Sequence, residues 1–409
     1  ADIAMLGQFV GKEAMAAVGS KSPIIGMVLS LFIGISLGAN VIIARFIGKK
    51  NIHGVHAAVH TAILVALGCG VAMAVAGELL VEPLLRLLSV PEEIFDLAVL
   101  YLRVFWLAMP FILLYNFESS IFRSQGDTRT PLYCLIASGV TKFFLNLFFI
   151  LVLDMSVEGV AIGTIIATAL SSAMLFYFLC RSQTEIRVRL TEFHVDKRIL
   201  LPMLRIGLPA GMQGMVFALS NLCIQSAINE LGPDVMAASA AAFNLEIFTF
   251  FLINAFGQVC TTFVSQNYGA RNIRRCKQAM KWCLFQDLLL TACICALLIL
   301  FGVPLLHIFS DDSTVVALGF IRLKYVAGLE FINAVIEVLS GAMRGYGSSL
   351  IPALITLFGI CGTRVTWVYT VFAWKPDFAT LMMVFPVSWA VTAAILCVAY
   401  AWFIKQLKA

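Results

Sequence analysis

Apolar runs of about twenty residues recur along the chain, each closed by a short polar stretch. They occupy roughly 22–46, 57–81, 95–121, 131–153, 158–180, 203–231, 237–266, 279–303, 315–342, 351–373 and 379–404. A helix needs about 20 mostly apolar residues to cross the hydrocarbon of a bilayer, so the pattern predicts eleven complete spans. Residues 1–10 continue it as a twelfth but are too short to cross alone. Prolines inside the runs (Pro23, Pro110, Pro209, Pro386) predict kinks.

Shifted by 221, the sequence falls on itself without gaps. Gly11 and Met15-Ala16-Ala17 meet Gly232 and Met236-Ala237-Ala238; Gly48 and Asn51-Ile52 meet Gly269 and Asn272-Ile273. Pro83-Leu84-Leu85 meets Pro304-Leu305-Leu306, and Arg123, Gly126 and Pro131 meet Arg344, Gly347 and Pro352. The matches cluster at loop edges. Six spans per copy is an even number, so both copies face the same way, as a parallel repeat about an axis along the membrane normal. The expected lobes are 1–195 and 196–409. The second copy's first span starts near Leu200, which maps ahead of residue 1. The given first span therefore reads as truncated, and Asp2 as lying inside a span rather than at its edge.

Composition narrows the class. Of the 409 residues, 61% are hydrophobic and 12% charged, against about 25% charged in soluble domains. A water-soluble enzyme is excluded, and a net charge of +5 suggests no nucleic-acid partner. Eleven cysteines show no metal-ligand spacing, so no metal and no cofactor is expected. One alternating set of connections holds nineteen Lys and Arg, from Arg45 to Lys408; the other holds Lys12, Lys21, Arg86 and Lys375. Positive charge marks the cytoplasmic side, which puts the C-terminus inside and Asp2 about 13 Å below the outer end of its span.

An ionisable group among acyl chains costs at least ~2.5 kcal/mol, so each such residue faces a partner or a cavity. Asp2 is the leading functional candidate, against a reading as a packing residue. Glu246 is either a second proton-binding group or a structurally paired acid. Glu330 and Arg364 lie at similar depth on consecutive spans and are expected to pair, with Glu337 as the other acid in reach. Lys142 is mid-span and expects an acid. Asn146 follows it by one turn, and Thr164 and Thr168 lie on the next span. Amide and hydroxyl oxygens there suit a proton relay, a weak sodium site or plain helix-to-helix bonding. Arg103 and Lys324, at one repeat position, are expected to snorkel.

Several segments resemble the multidrug and toxic compound extrusion (MATE) family, its DinF-like bacterial branch in particular. They are "ADIAMLGQFVGKEAMAAVG", "FRSQGDTRTPL", "GLPAGMQ", "AAFNLEIFTFFLINAFGQVCTTFVSQNYGARN" and "GAMRGYGSSLIPALITLFGICGTRVTW". The resemblance implies an all-α polytopic membrane protein of twelve helices in two six-helix lobes, related by a pseudo-two-fold along the membrane normal. It implies an antiporter rather than an enzyme: small cationic or amphipathic organic substrates leave as protons or sodium enter, by alternating access. It makes Asp2 the coupling carboxylate, supported by Asn146 and by Thr164 or, less closely, Thr168. Ile150, where many members carry Asp or Asn, weakens a first-lobe sodium site. Phe217 stands where another branch places a coupling Glu. The expected setting is the bacterial plasma (inner) membrane, as a monomer. The rival reading is a flippase for lipid-linked saccharides of the same superfamily, which would need a basic cavity.

Overall fold

A computed structural model of the chain describes residues 22–87, 92–189 and 191–407. The chain divides into two compact units, Ala1–Leu204 and Arg205–Ala409. In the first, α1 (Ser22–Gly48), α2 (Ile52–Leu87), α3 (Glu92–Leu107), α4 (Met109–Ser124), α5 (Arg129–Leu151) and α6 (Val157–Arg181) follow one another, and α7 (Lys197–Glu230) leads onward. The second contains α8 (Pro233–Gly269), α9 (Ile273–Leu300), α10 (Gly302–His307), α11 (Ser313–Tyr325) and α12 (Phe331–Gly345). It continues with α13 (Leu350–Thr356), α14 (Thr363–Trp367), α15 (Phe378–Met382) and α16 (Val384–Gln406). No strand occurs among the described residues.

Nine helices among the described residues are long and apolar enough to cross a membrane, or ten counting a pair bent by 45° between Leu107 and Met109. The bend falls at Pro110, whose ring cannot donate and crowds the preceding turn. A second expected span is also not a single helix. The 315–342 run breaks after Tyr325, passes through a 3₁₀ turn at Ala327–Leu329 and resumes at Phe331. The 351–373 run alternates α-helix with π-helix at Leu357–Gly362 and Val368–Phe372.

The repeat fixes the element ends. A shift of 221 carries the starts of α2, α5 and α6 (Ile52, Arg129, Val157) onto those of α9, α13 and α15 (Ile273, Leu350, Phe378). It also carries the ends of α1 and α4 (Gly48, Ser124) onto those of α8 and α12 (Gly269, Gly345). The turns agree in backbone angle. Gly126 and Gly347 have φ of 93° and 91°, a region that glycine enters without steric cost. Lys50 and Arg271 have φ of 56° and 59°. Asn51 and Asn272 accept from the backbone N–H three residues on, each at 3.0 Å, capping α2 and α9.

Packing repeats too. α4 lies against α1, α2 and α6; its counterpart α12 lies against α8, α9 and α16. Small residues let α8 and α12 approach closely: a Cβ on Gly341 would collide with the Gly257 carbonyl. Thr261 Oγ1 donates across this seam to Gly341 O at 3.0 Å, and in the first unit Asn40 Nδ2 donates to Ser120 O at 3.1 Å.

Candidate functional site

In the first unit α5 and α6 pack along their length and bring together part of the expected site. Asn146 is buried on α5. Its Oδ1 fills the space a Cβ would take on Gly163, so the glycine cuts a slot for the amide beside Thr164. Thr164 is buried, and its hydroxyl donates to Val160 O at 2.9 Å; Thr168 donates to Thr164 O at 2.8 Å. Both hydroxyl protons are thus spent on their own helix, which leaves oxygen lone pairs as the groups on offer. Lys142 lies half-buried one turn before Asn146, and Ile150 is buried one turn after. Asp2 lies outside the described residues.

The sequence reading passed over a carboxylate nearby. Glu118 on α4 is fully buried; its Oε2 accepts from Ser172 Oγ on α6 at 3.1 Å, and its Oε1 has no hydrogen-bond partner. The signal was legible in "YNFESSIF", an acid within an apolar run.

The second unit holds more buried charge. Glu246 on α8 is clasped by Arg322 on α11. Arg322 Nε donates to both carboxylate oxygens at 3.1 and 3.2 Å, and Nη2 donates to Oε2 at 2.9 Å. Nη1 donates to Ser239 Oγ. Such a forked pair holds its geometry tightly, so of the two readings of Glu246 the paired acid describes its geometry. Arg322 was the missed partner.

The expected Glu330–Arg364 pair does not form. Arg364, fully buried on α14, donates through Nη1 to Asn221 Oδ1 at 2.7 Å and to the Ser220 hydroxyl at 3.4 Å, and through Nε to the Ser388 hydroxyl at 3.4 Å. The Phe385 and Phe217 rings flank its guanidinium at 4.6 and 5.1 Å. Its charge is met by an amide, hydroxyls and ring faces. Glu330, also buried, sits at the break before α12 with Oε2 unpartnered. Arg364 turns instead to residues of α7 and α16.

Glu337 pairs with Arg344 two turns along α12, at 3.2 Å. The sequence reading also missed Asp287 on α9, fully buried, whose Oδ1 accepts from Thr291 at 3.0 Å. Arg103 meets Glu78 and Glu82 on α2 at 3.2 and 2.7 Å instead of extending alone to headgroups, while Lys324 is exposed. Among the described residues no three potential metal ligands gather.

Comparison with known proteins agrees with this architecture. The MatE family model matches residues 1–148 and 209–370. The chain is 28% identical over 371 residues to YoeA of Bacillus subtilis, a probable multidrug resistance protein, covering 88% of this chain and 79% of that one. It is 27% identical to NorM of Thermotoga maritima, another probable multidrug resistance protein, covering 89% and 79%. A FAD transporter of Shewanella oneidensis is 25% identical over 75% of this chain and 69% of its own. Among solved structures, an outward-facing multidrug resistance MATE family transporter of the MOP superfamily superposes with a TM-score of 0.93 at 20% identity. That match covers all of this chain and 91% of that one. Duplicated helical units, spans long enough for a bilayer and a family match over most of the length converge: the chain belongs to the MatE family, and it is a multi-pass membrane transporter, not an enzyme.

Proposed function

We propose that this transporter expels small organic cations from a bacterial cell through its plasma membrane, in exchange for entering protons, with Asp2 as the coupling carboxylate and Asn146 and Thr164 as its supports. The observation that carries the reading is the slot in which Gly163 admits the buried Asn146 amide beside Thr164. A buried amide, which carries both donors and an acceptor, distinguishes a protonated from an ionised carboxyl by changing its hydrogen bonds. The multidrug names of several relatives support the cargo class. The excess of Lys and Arg in one set of loops supports a cytoplasmic C-terminus.

In this cycle Asp2 takes a proton from the outer side, loses its attraction for a bound cation and releases it. Deprotonation on the inner side restores cation affinity. Cargo and proton must differ in affinity for the two states for either to drive the other. Sodium is the alternative coupling ion, with Thr164 and Thr168 oxygens as candidate ligands; Ile150 supplies none.

The test is ethidium efflux from proteoliposomes under a pH gradient and, separately, a sodium gradient. A response to pH alone supports the proposal, and a response to sodium alone replaces the proton with sodium. Counterflow of labelled lipid-linked sugar without ethidium transport would favour the flippase reading and overturn this one.

A further inference from the structure

The first unit carries a groove on the side of α6 away from the amide slot, about 390 Å³ in volume, between α2, α4, α6 and the linker to α7. Leu64, Leu67, Phe111, Leu114 and Phe176 form its walls, and Phe193 of the linker closes one end. Its one hydroxyl, Ser172, already donates to Glu118 behind the wall. Leu67 and Phe111 are more than a third exposed on its rim, so the groove opens sideways, where hydrocarbon lies for a spanning bundle. Measured from the Arg181 end of α6, residues 176 to 169 lie about 7 to 18 Å along the axis. That is the depth of one leaflet's hydrocarbon, half of about 30 Å.

The linker at the mouth carries more basic than acidic side chains: Arg187, Arg189, Lys197 and Arg198 against Glu185, Glu192 and Asp196. The linker crosses the start of α2, where His60 bonds the Arg189 backbone N–H at 3.1 Å and Thr61 Oγ1 accepts the Asp196 N–H at 3.1 Å. Phe193 meets the His60 ring edge-on at 5.0 Å. The side chains of Arg187, Lys197 and Arg198 are exposed and make no ion pair among the described residues, while Arg189 is engaged by Glu192 at 2.9 Å and the Asp196 carboxylate accepts from the Arg198 backbone N–H at 2.8 Å. An apolar slot of one-leaflet depth beneath free cationic side chains matches an anionic amphipath. An organic cation would find no acid in the groove lining, because Glu118 is enclosed, and at the mouth the basic side chains outnumber Glu185, Glu192 and Asp196.

We propose that this groove holds one acyl chain of an anionic phospholipid, whose phosphate rests against Arg187, Lys197 and Arg198. A seated chain braces Phe193 and with it the linker, making transport sensitive to lipid charge.

Native mass spectrometry of the purified transporter with phosphatidylglycerol or phosphatidylcholine of identical chains tests this. The expected result is phosphatidylglycerol retained at roughly tenfold lower concentration. Ala173→Trp, at an exposed lining position, fills the groove and should abolish the preference. Should that variant fold poorly, Arg187→Gln/Lys197→Gln/Arg198→Gln, confined to exposed side chains, should weaken it with the melting temperature unchanged. Equal retention of the two lipids, a preference that survives both variants, or ethidium displacing the lipid only when Ala173 is intact would overturn the proposal.

Discussion

At residue 40 an asparagine amide reaches across the seam to Ser120; at the repeat position a threonine hydroxyl makes the same bridge to Gly341. Elsewhere the two units part company. Where the second has Glu246 and Arg322, the first has Ile25 and Tyr101; where the first has Glu118 and Ser172, the second has Leu339 and Ala393. All eight are buried. Turn glycines, caps and close-packed seams tolerate little change because backbone geometry depends on them. Buried polar pairs diverge freely as long as both members change together, since one stranded member costs far more than losing both.

That rule can be broken or sharpened by exchanging pairs. The largest effect should come from Arg322→Tyr, which strands Glu246 and should cost about 3–5 kcal/mol. Thermal unfolding in detergent would show it, and Glu246→Ile/Arg322→Tyr, which imports the first unit's pair, should recover most of the loss. Ser172→Ala strands the Glu118 carboxyl and should cost about 1–3 kcal/mol by the same assay. Glu118→Leu/Ser172→Ala, the second unit's pair, should return close to the parent. Gly163→Ala pushes a methyl into the Asn146 slot and should cost about 1–3 kcal/mol, with a fall in efflux per folded molecule. The smallest effect, about 1 kcal/mol each, belongs to Asn51→Ala and Asn272→Ala. These two should agree, because the caps are the same in both units; unequal losses would break the scaffold half of the comparison.

Much of this was legible in the sequence, for physical reasons. Spans declare themselves by length and hydropathy, and the repeat by residues that turns cannot vary, such as Gly126 and Gly347. The slot for Asn146 was half legible: the amide and both threonines stood out, but Gly163 did not, because its role lies in the contact it permits. The break at Tyr325–Phe331 was hidden by an uninterrupted apolar run. The Glu330–Arg364 pairing failed because residue counts gave only a common depth, while Arg364 takes Asn221, Ser220 and Ser388 as its partners. Glu118, Asp287 and Arg322 carried the same signal as the charges that were singled out, and each needed only its place within an apolar run to be noticed.

The most direct test of the central claim, that ion coupling resides in the first unit while the Glu246–Arg322 pair of the second is structural, is ethidium efflux driven by an imposed pH gradient. It would be measured in proteoliposomes at matched amounts of folded protein for Asp2→Asn and for Glu246→Ile/Arg322→Tyr. The account predicts that the first variant loses pH-driven efflux and the second keeps it. Efflux that survives in Asp2→Asn and disappears in the exchanged pair would contradict it.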